Sequence, residues 1–193
     1  MGGSEHRGAT LVVANGTRHA LELAGGLVVL LEPEGSLARA LRDRWLGAAD
    51  VAVVEPPLAA AGPEDALERL AETATTPPDA RDPRVARVLA WLDEMEATAR
   101  WPDVDLAAAL GQVHLSEGRF RHLFADQVGS SWRGYLVWRR ALVAASAALG
   151  GASLTEAAHA AGYADSAHLS RQFKQLFGFT PSRAVGFSRY VQG

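Results

Sequence analysis

A chain of 193 residues with 48% apolar side chains can bury a core and has room for one domain or two small ones. It contains no cysteine, which excludes disulfides and thiol nucleophiles, and no apolar run reaches the ~20 residues of a membrane-spanning helix. The net charge of −3 is unevenly spread: residues 1–81 hold 7 Lys/Arg against 12 Asp/Glu, whereas from Val104 onward the count is 9 against 5. An acidic front and a basic back predict two parts with different partners, the basic one an anionic polymer. The opening MGGSEHRGAT lacks the basic start and apolar core of a signal peptide, so the predicted location is cytoplasmic.

In chain order, TLVVANG, HALELAG and LVVLLEP predict short strands separated by glycine-containing turns. SLARALRDRWL predicts a helix with Ser36 as N-cap and with Leu37, Ala40, Leu41 and Trp45 on one face. DVAVVEPP predicts another strand and PEDALERLAE a short helix. TATTPPDARDP, from Thr73 to Pro83, is rich in Thr and Pro and has no apolar period, as a linker would. It divides the chain into 1–72, a linker at 73–83, and 84–193.

After the linker the strands stop. PRVARVLAWLDEME places Val85, Val88, Leu89 and Leu92 in the i, i+3, i+4, i+7 pattern of a surface helix. Further helices are predicted from about Val104 to Leu110, from Ser116, over Ser131 to Leu149, over Leu154 to Ala161, within DSAHLSRQFKQLFG, and from Pro181. The predicted fold class is α+β: a small β-rich N-terminal domain, then an all-α C-terminal domain of about seven helices.

The second half repeats weakly at an offset of 49 residues: LSEGRFRHLFADQVGSSW lies over ADSAHLSRQFKQLFGFTP. Phe120 pairs with Leu169, Phe124 with Phe173, Val128 with Phe177 and Gly129 with Gly178. In the second copy Leu169, Phe173, Leu176 and Phe177 share one side of the helix, and Arg171 sits near the opposite pole between His168 and Gln175. A short helix, a turn, and a helix with one apolar and one polar face is a helix-turn-helix. Two of them joined by a spacer helix of roughly 28 Å would suit successive major grooves about 34 Å apart.

LTEAAHAAGYADSAHLSRQFKQLFGFTPS carries small residues before Gly162-Tyr163, then Asp165, Ser170-Arg171, Phe173-Lys174 and Gly178, Thr180, Pro181. In these residues the segment from about Val85 to Phe187 resembles the double helix-turn-helix domain of the AraC/XylS family of bacterial transcription regulators. The resemblance implies binding to double-stranded DNA, with the third and sixth helices of the domain in the major groove. It implies base contacts from Arg121 and His122 in the first repeat and from His168, Ser170 and Arg171 in the second. Arg119 and Arg121 suit phosphate or flanking contacts, and Arg133, Lys174 and Ser182 suit the DNA backbone. Phe120, Phe124, Trp132, Tyr135, Leu169, Phe173 and Phe177 are core by pattern.

ANGTRHALELAGGLVVLLEPEGSLARALRDRWL is similar to the end of the cupin-like sensor that precedes this domain in many family members, so residues 1–72 are read as a truncated cupin-like segment. Its predicted role is homodimerisation through open sheet edges; no residue names a small-molecule effector. The chain is predicted not to be an enzyme and to carry no cofactor or metal. An alkyl-transfer repair module needs cysteine, and His6 and His19 are the only histidines in the N-terminal segment, too few for a cupin metal site. The competing reading is an interaction module that sequesters another regulator through its N-terminal segment.

Overall fold

The computed structural model describes residues 4–17, 19–22, 27–73 and 81–186. They fall into two compact units, one of residues 4–17 and 27–73 and the other of residues 19–22 and 81–186. Most of the predicted linker, residues 74–80, lies outside the described residues.

In the first unit β1 (Leu11–Val13) and β2 (Val51–Val53) pair antiparallel, with Val12 opposite Ala52. Their valines suit a pleated, half-buried surface. Helix α1 (Ser36–Leu41) runs into a π-helical turn at Arg42–Leu46 that packs on both strands and buries Leu46. Helix α2 (Pro63–Thr73) packs on α1, where Ala40 and Leu41 are buried.

Two expectations change here. Ser36 is the first residue of α1 rather than its cap; Gly35 holds the N-cap position, without a side-chain acceptor. The predicted β-rich character reduces, among the described residues, to this one two-stranded sheet. LVVLLEP forms no strand, and neither do the described residues 19–22 of HALELAG; residues 23–25 lie outside the described residues. An apolar, β-branched run becomes a strand only where another strand offers a ladder. Leu27, Val28 and Leu30 instead remain about two-fifths exposed, at 43%, 39% and 40%.

The second unit is helical: α3 (Pro83–Ala97), α4 (Leu106–Gly111), α5 (Glu117–Val128), α6 (Trp132–Leu149), α7 (Leu154–Ala160), α8 (Ser166–Phe177) and α9 (Pro181–Gly186), with a 3-10 turn at Trp101–Asp103. Side-chain caps set several of the starts. Asp82 accepts from the Arg84 amide, Asp105 from Ala108, Ser131 from Gly134 and Asp165 from His168, each satisfying an amide that the helix leaves open. Ser153 and Glu156 form a reciprocal capping box on α7. Ser116 holds the N-cap position of α5 without a side-chain hydrogen bond.

Helix α6 is the centre of the unit and packs on α5, α7, α8 and α9. Its 18 residues span about 27 Å at 1.5 Å each. At one end Phe120, Phe124, Trp132 and Tyr135 interlock, with Phe124 edge-on to Trp132 at 5.1 Å and to Tyr135 at 5.3 Å. In α8 and just beyond it, Phe173 meets Phe177 at 4.5 Å and Phe179 at 5.8 Å.

One buried cation ties α6 to α3. Arg139 has a side chain only 7% exposed; it donates to Asp93 at 2.9 Å, to Glu96 at 2.7 Å and to the Tyr135 hydroxyl at 3.2 Å. Its guanidinium also lies 5.7 Å from the Trp101 ring centre. Burial opposes the charge, but Tyr135 and the carboxylate hydrogen bonds outweigh it and raise the Arg139 pKa. The carboxylates are 66% and 38% exposed, so they rehydrate once the arginine is gone. Arg139→Met is therefore expected to cost only about 1–2 kcal/mol in urea unfolding, below the penalty for orphaning a fully buried charge.

Candidate nucleic-acid interface

The sequence repeat is also a structural one. Helices α5 and α8 are each 12 residues long, and the offset of 49 that aligns the sequences carries Glu117–Val128 onto Ser166–Phe177. Both end on a left-handed glycine, Gly129 at φ 74° and Gly178 at φ 80°. That conformation strains any side chain with a Cβ and closes a helix abruptly. The buried residues match position by position: Phe120, Phe124 and Val128 in α5, Leu169, Phe173 and Phe177 in α8. Each helix follows a shorter one, α4 or α7, across a turn.

Burying these stripes turns the opposite faces outward. On α8 Arg171 and Lys174 are exposed. Ser170 is half-buried, and so is His168, whose ring stands edge-on to Tyr163 at 5.3 Å. Burial pushes the Tyr163 hydroxyl up to about 12, so it stays a neutral packing partner. The Asp165 carboxyl is held below its ordinary range, first by the His168 amide that it caps and further by the positive charge of Arg171.

On α5 Arg119, Arg121 and His122 are all exposed, but Arg121 is turned along the helix onto Glu117 at 2.7 Å. Such an exposed i, i+4 pair is weak and can be exchanged for a stronger anion. Arg133 is exposed in the first turn of α6, and Ser182 is exposed on α9. The two outer faces differ in charge. Helix α5 has two arginines and two acids, Glu117 and Asp126; α8 has Arg171 and Lys174 and no acid.

Residues 109–185 match the family model of a helix-turn-helix domain. The chain carries an AraC-like helix-turn-helix domain. No curated protein and no solved structure matches the chain. Domains of this kind are DNA-binding and regulatory. Among the described residues there is no cluster of three or more His, Cys, Asp or Glu that could hold a metal, and no helix is long and apolar enough to cross a membrane.

Helix α3 lies before the AraC-like domain in sequence yet is fastened to its first outward face. The Asp82 amide donates to Gln127 Oε1 on α5 at 3.1 Å, and Arg84 lines an open cleft of about 410 Å³ with Gly118, Arg119, His122 and Asp126. Sequence patterning did not single out Arg84, because only the packing of α3 on α5 brings it there. The available signal was Asp82 directly before Pro83, a helix start that fixes where Arg84 begins.

Asp82 also predicts an acid response. The Arg84 side chain, by a forked contact at 3.0 and 2.7 Å, and then the Arg84 amide hold its carboxyl down at about 2, from an ordinary 3.8. A carboxyl depressed by folding stabilises above its unfolded value, and that contribution is lost as pH falls through the folded one. Thermal melts of the wild type are expected to lose stability between pH 3.8 and about 2, and Asp82→Asn to flatten that part of the curve.

Proposed function

We propose that this protein is a sequence-specific transcription regulator of the AraC/XylS family that lays α5 and α8 into successive major grooves of double-stranded DNA. The observation that carries this reading is the repeat itself: two helices of equal length, each with a glycine stop, a buried aromatic stripe and an outward polar face. The length of α6, about 27 Å, supports a spacing near one turn of B-DNA, about 34 Å.

In this reading Arg171 is the principal base reader, since a guanidinium can bond guanine O6 and N7 together. His168, Ser170 and His122 make secondary base contacts. Arg119, Arg121, Arg133, Lys174 and Ser182 contact phosphates and fix the register without specifying sequence. With α5 neutral and α8 cationic, the second repeat provides most of the attraction. The test is selection of bound duplexes from a random pool with the purified chain. An enriched motif with two parts about one helical turn apart supports the reading; a pool that stays random overturns it.

We further propose that residues 1–72, joined through a linker at 73–83 to the DNA-binding part at 84–193, form a truncated cupin-like segment that makes the protein a homodimer. The two-stranded sheet and the exposed Leu27, Val28, Leu30 and Val53 support this, because a second copy would cover both open edges and apolar surface. Dimerisation would bring two DNA-binding parts to neighbouring half-sites and raise affinity through effective concentration. At micromolar concentration the full chain is expected to sediment as a dimer and residues 82–193 as a monomer. A monomeric full chain would contradict the proposal.

A further inference from the structure

The stretch His19–Glu22 is separated from the helical unit by some 60 residues of sequence, yet it belongs to that unit. It lies against the end of α8. A Cβ added at Gly178 would stand 2.7 Å from the Leu21 nitrogen, 3.1 Å from Leu21 Cβ and 3.2 Å from His19 Cδ2. Only a glycine lets the two backbones approach so closely, and the same glycine supplies the left-handed stop of the helix.

The docking places His19 beside the outward face of α8. His19, Arg171, Lys174 and Gln175 together line an open cleft of about 410 Å³. Each of these four side chains can donate a hydrogen bond, two of them from a permanent charge, and among the described residues no carboxylate lines the cleft. Glu22, the acid of the same stretch, is exposed and is not part of the lining. Donors converging on an open cleft, two of them cationic, suit an oxyanion, and phosphate is the one a DNA duplex offers. Lys174 and Gln175 lie one helical turn beyond Arg171, so a phosphate held there would flank the base pair that Arg171 reaches.

We propose that His19 is part of the DNA-binding face, and that with Lys174 and Gln175 it holds a backbone phosphate next to the base pair that Arg171 reads. This rests on the reading of α8 as a recognition helix. It extends the DNA-binding surface beyond the helix-turn-helix domain, to a residue about 90 positions before that domain begins.

The test compares the full-length wild type with His19→Ala, His19→Lys and Lys174→Ala, each confirmed folded by its thermal melt. Binding to a labelled enriched duplex and to an unrelated duplex is followed by anisotropy at several salt concentrations. His19→Ala is expected to weaken both duplexes by about three- to tenfold, since a phosphate contact carries no sequence information. His19→Lys is expected to restore the affinity and to steepen the salt dependence by about one ion. Unchanged or tighter binding by His19→Ala, with Lys174→Ala weakened, overturns the proposal while α8 remains a DNA reader; tighter binding would make the stretch a cover over α8. A wild type that binds no duplex overturns both. A calorimetric titration with inorganic phosphate separates a free anion from DNA: no saturable binding at low millimolar concentration is expected. Saturable binding that His19→Ala abolishes without changing DNA affinity would assign the cleft to a free phosphate compound and overturn the DNA assignment.

Discussion

Phe124→Ala is expected to destabilise the helical unit by about 3–5 kcal/mol, the range for emptying a large aromatic site in a core that cannot collapse. Phe124 is completely buried. Its ring touches Phe120 at 5.6 Å, Trp132 at 5.1 Å and Tyr135 at 5.3 Å, so three rigid side chains from α5 and α6 border the hole. Aromatic rings relax less readily than methionine or leucine, and the edge-on contacts are lost along with the buried area. Against a total stability of about 5–15 kcal/mol, this single change brings the unit close to its unfolding threshold. Urea unfolding should show the midpoint falling while its slope is unchanged. A shift of less than about 1 kcal/mol would mean that α5 is not anchored on α6 through this ring.

The second large effect concerns recognition. Arg171→Ala is expected to remove discrimination at one base pair, worth about 1–3 kcal/mol or roughly 5- to 150-fold, and to leave affinity for unrelated DNA nearly unchanged. Lys174→Ala should do the opposite, weakening all duplexes about equally and lowering the salt slope by about 1. Two residues three apart on one helix thus have separable signatures, one sensitive to sequence and one to salt. Uniform loss of affinity in both variants would reduce Arg171 to a phosphate contact. The half-buried His168 and Ser170 should matter less, since His168 is already held against Tyr163.

The helical half was legible in the sequence because its signals are local. The offset of 49 needs only Gly129 over Gly178 and Phe124 over Phe173, and both pairs occupy equivalent places in the structure. Asp165, Ser153 and Ser131 mark helix starts within a few residues of the chains they cap. The acidic half was less legible. LVVLLEP has the composition of a strand, but strand formation depends on a partner that sequence does not place. Neither the cleft between Arg84 and α5 nor the docking of His19 beside α8 follows from any periodicity, since each joins elements distant in sequence. The basic excess of the back half is divided among the helices: α6 carries Arg133, Arg139 and Arg140, α8 presents Arg171 and Lys174 without an acid, and on α5 Arg121 pairs with Glu117.

The claim that two helices read DNA is tested most directly by one binding comparison at fixed salt. The full chain is titrated with its enriched duplex, with the same duplex scrambled in the half facing α5, and with it scrambled in the half facing α8. Each mismatch in a contacted position costs about 1–3 kcal/mol. Both scrambled duplexes should therefore bind more weakly, the one altered opposite α8 by the larger factor. Equal affinity for all three would contradict sequence reading by these helices.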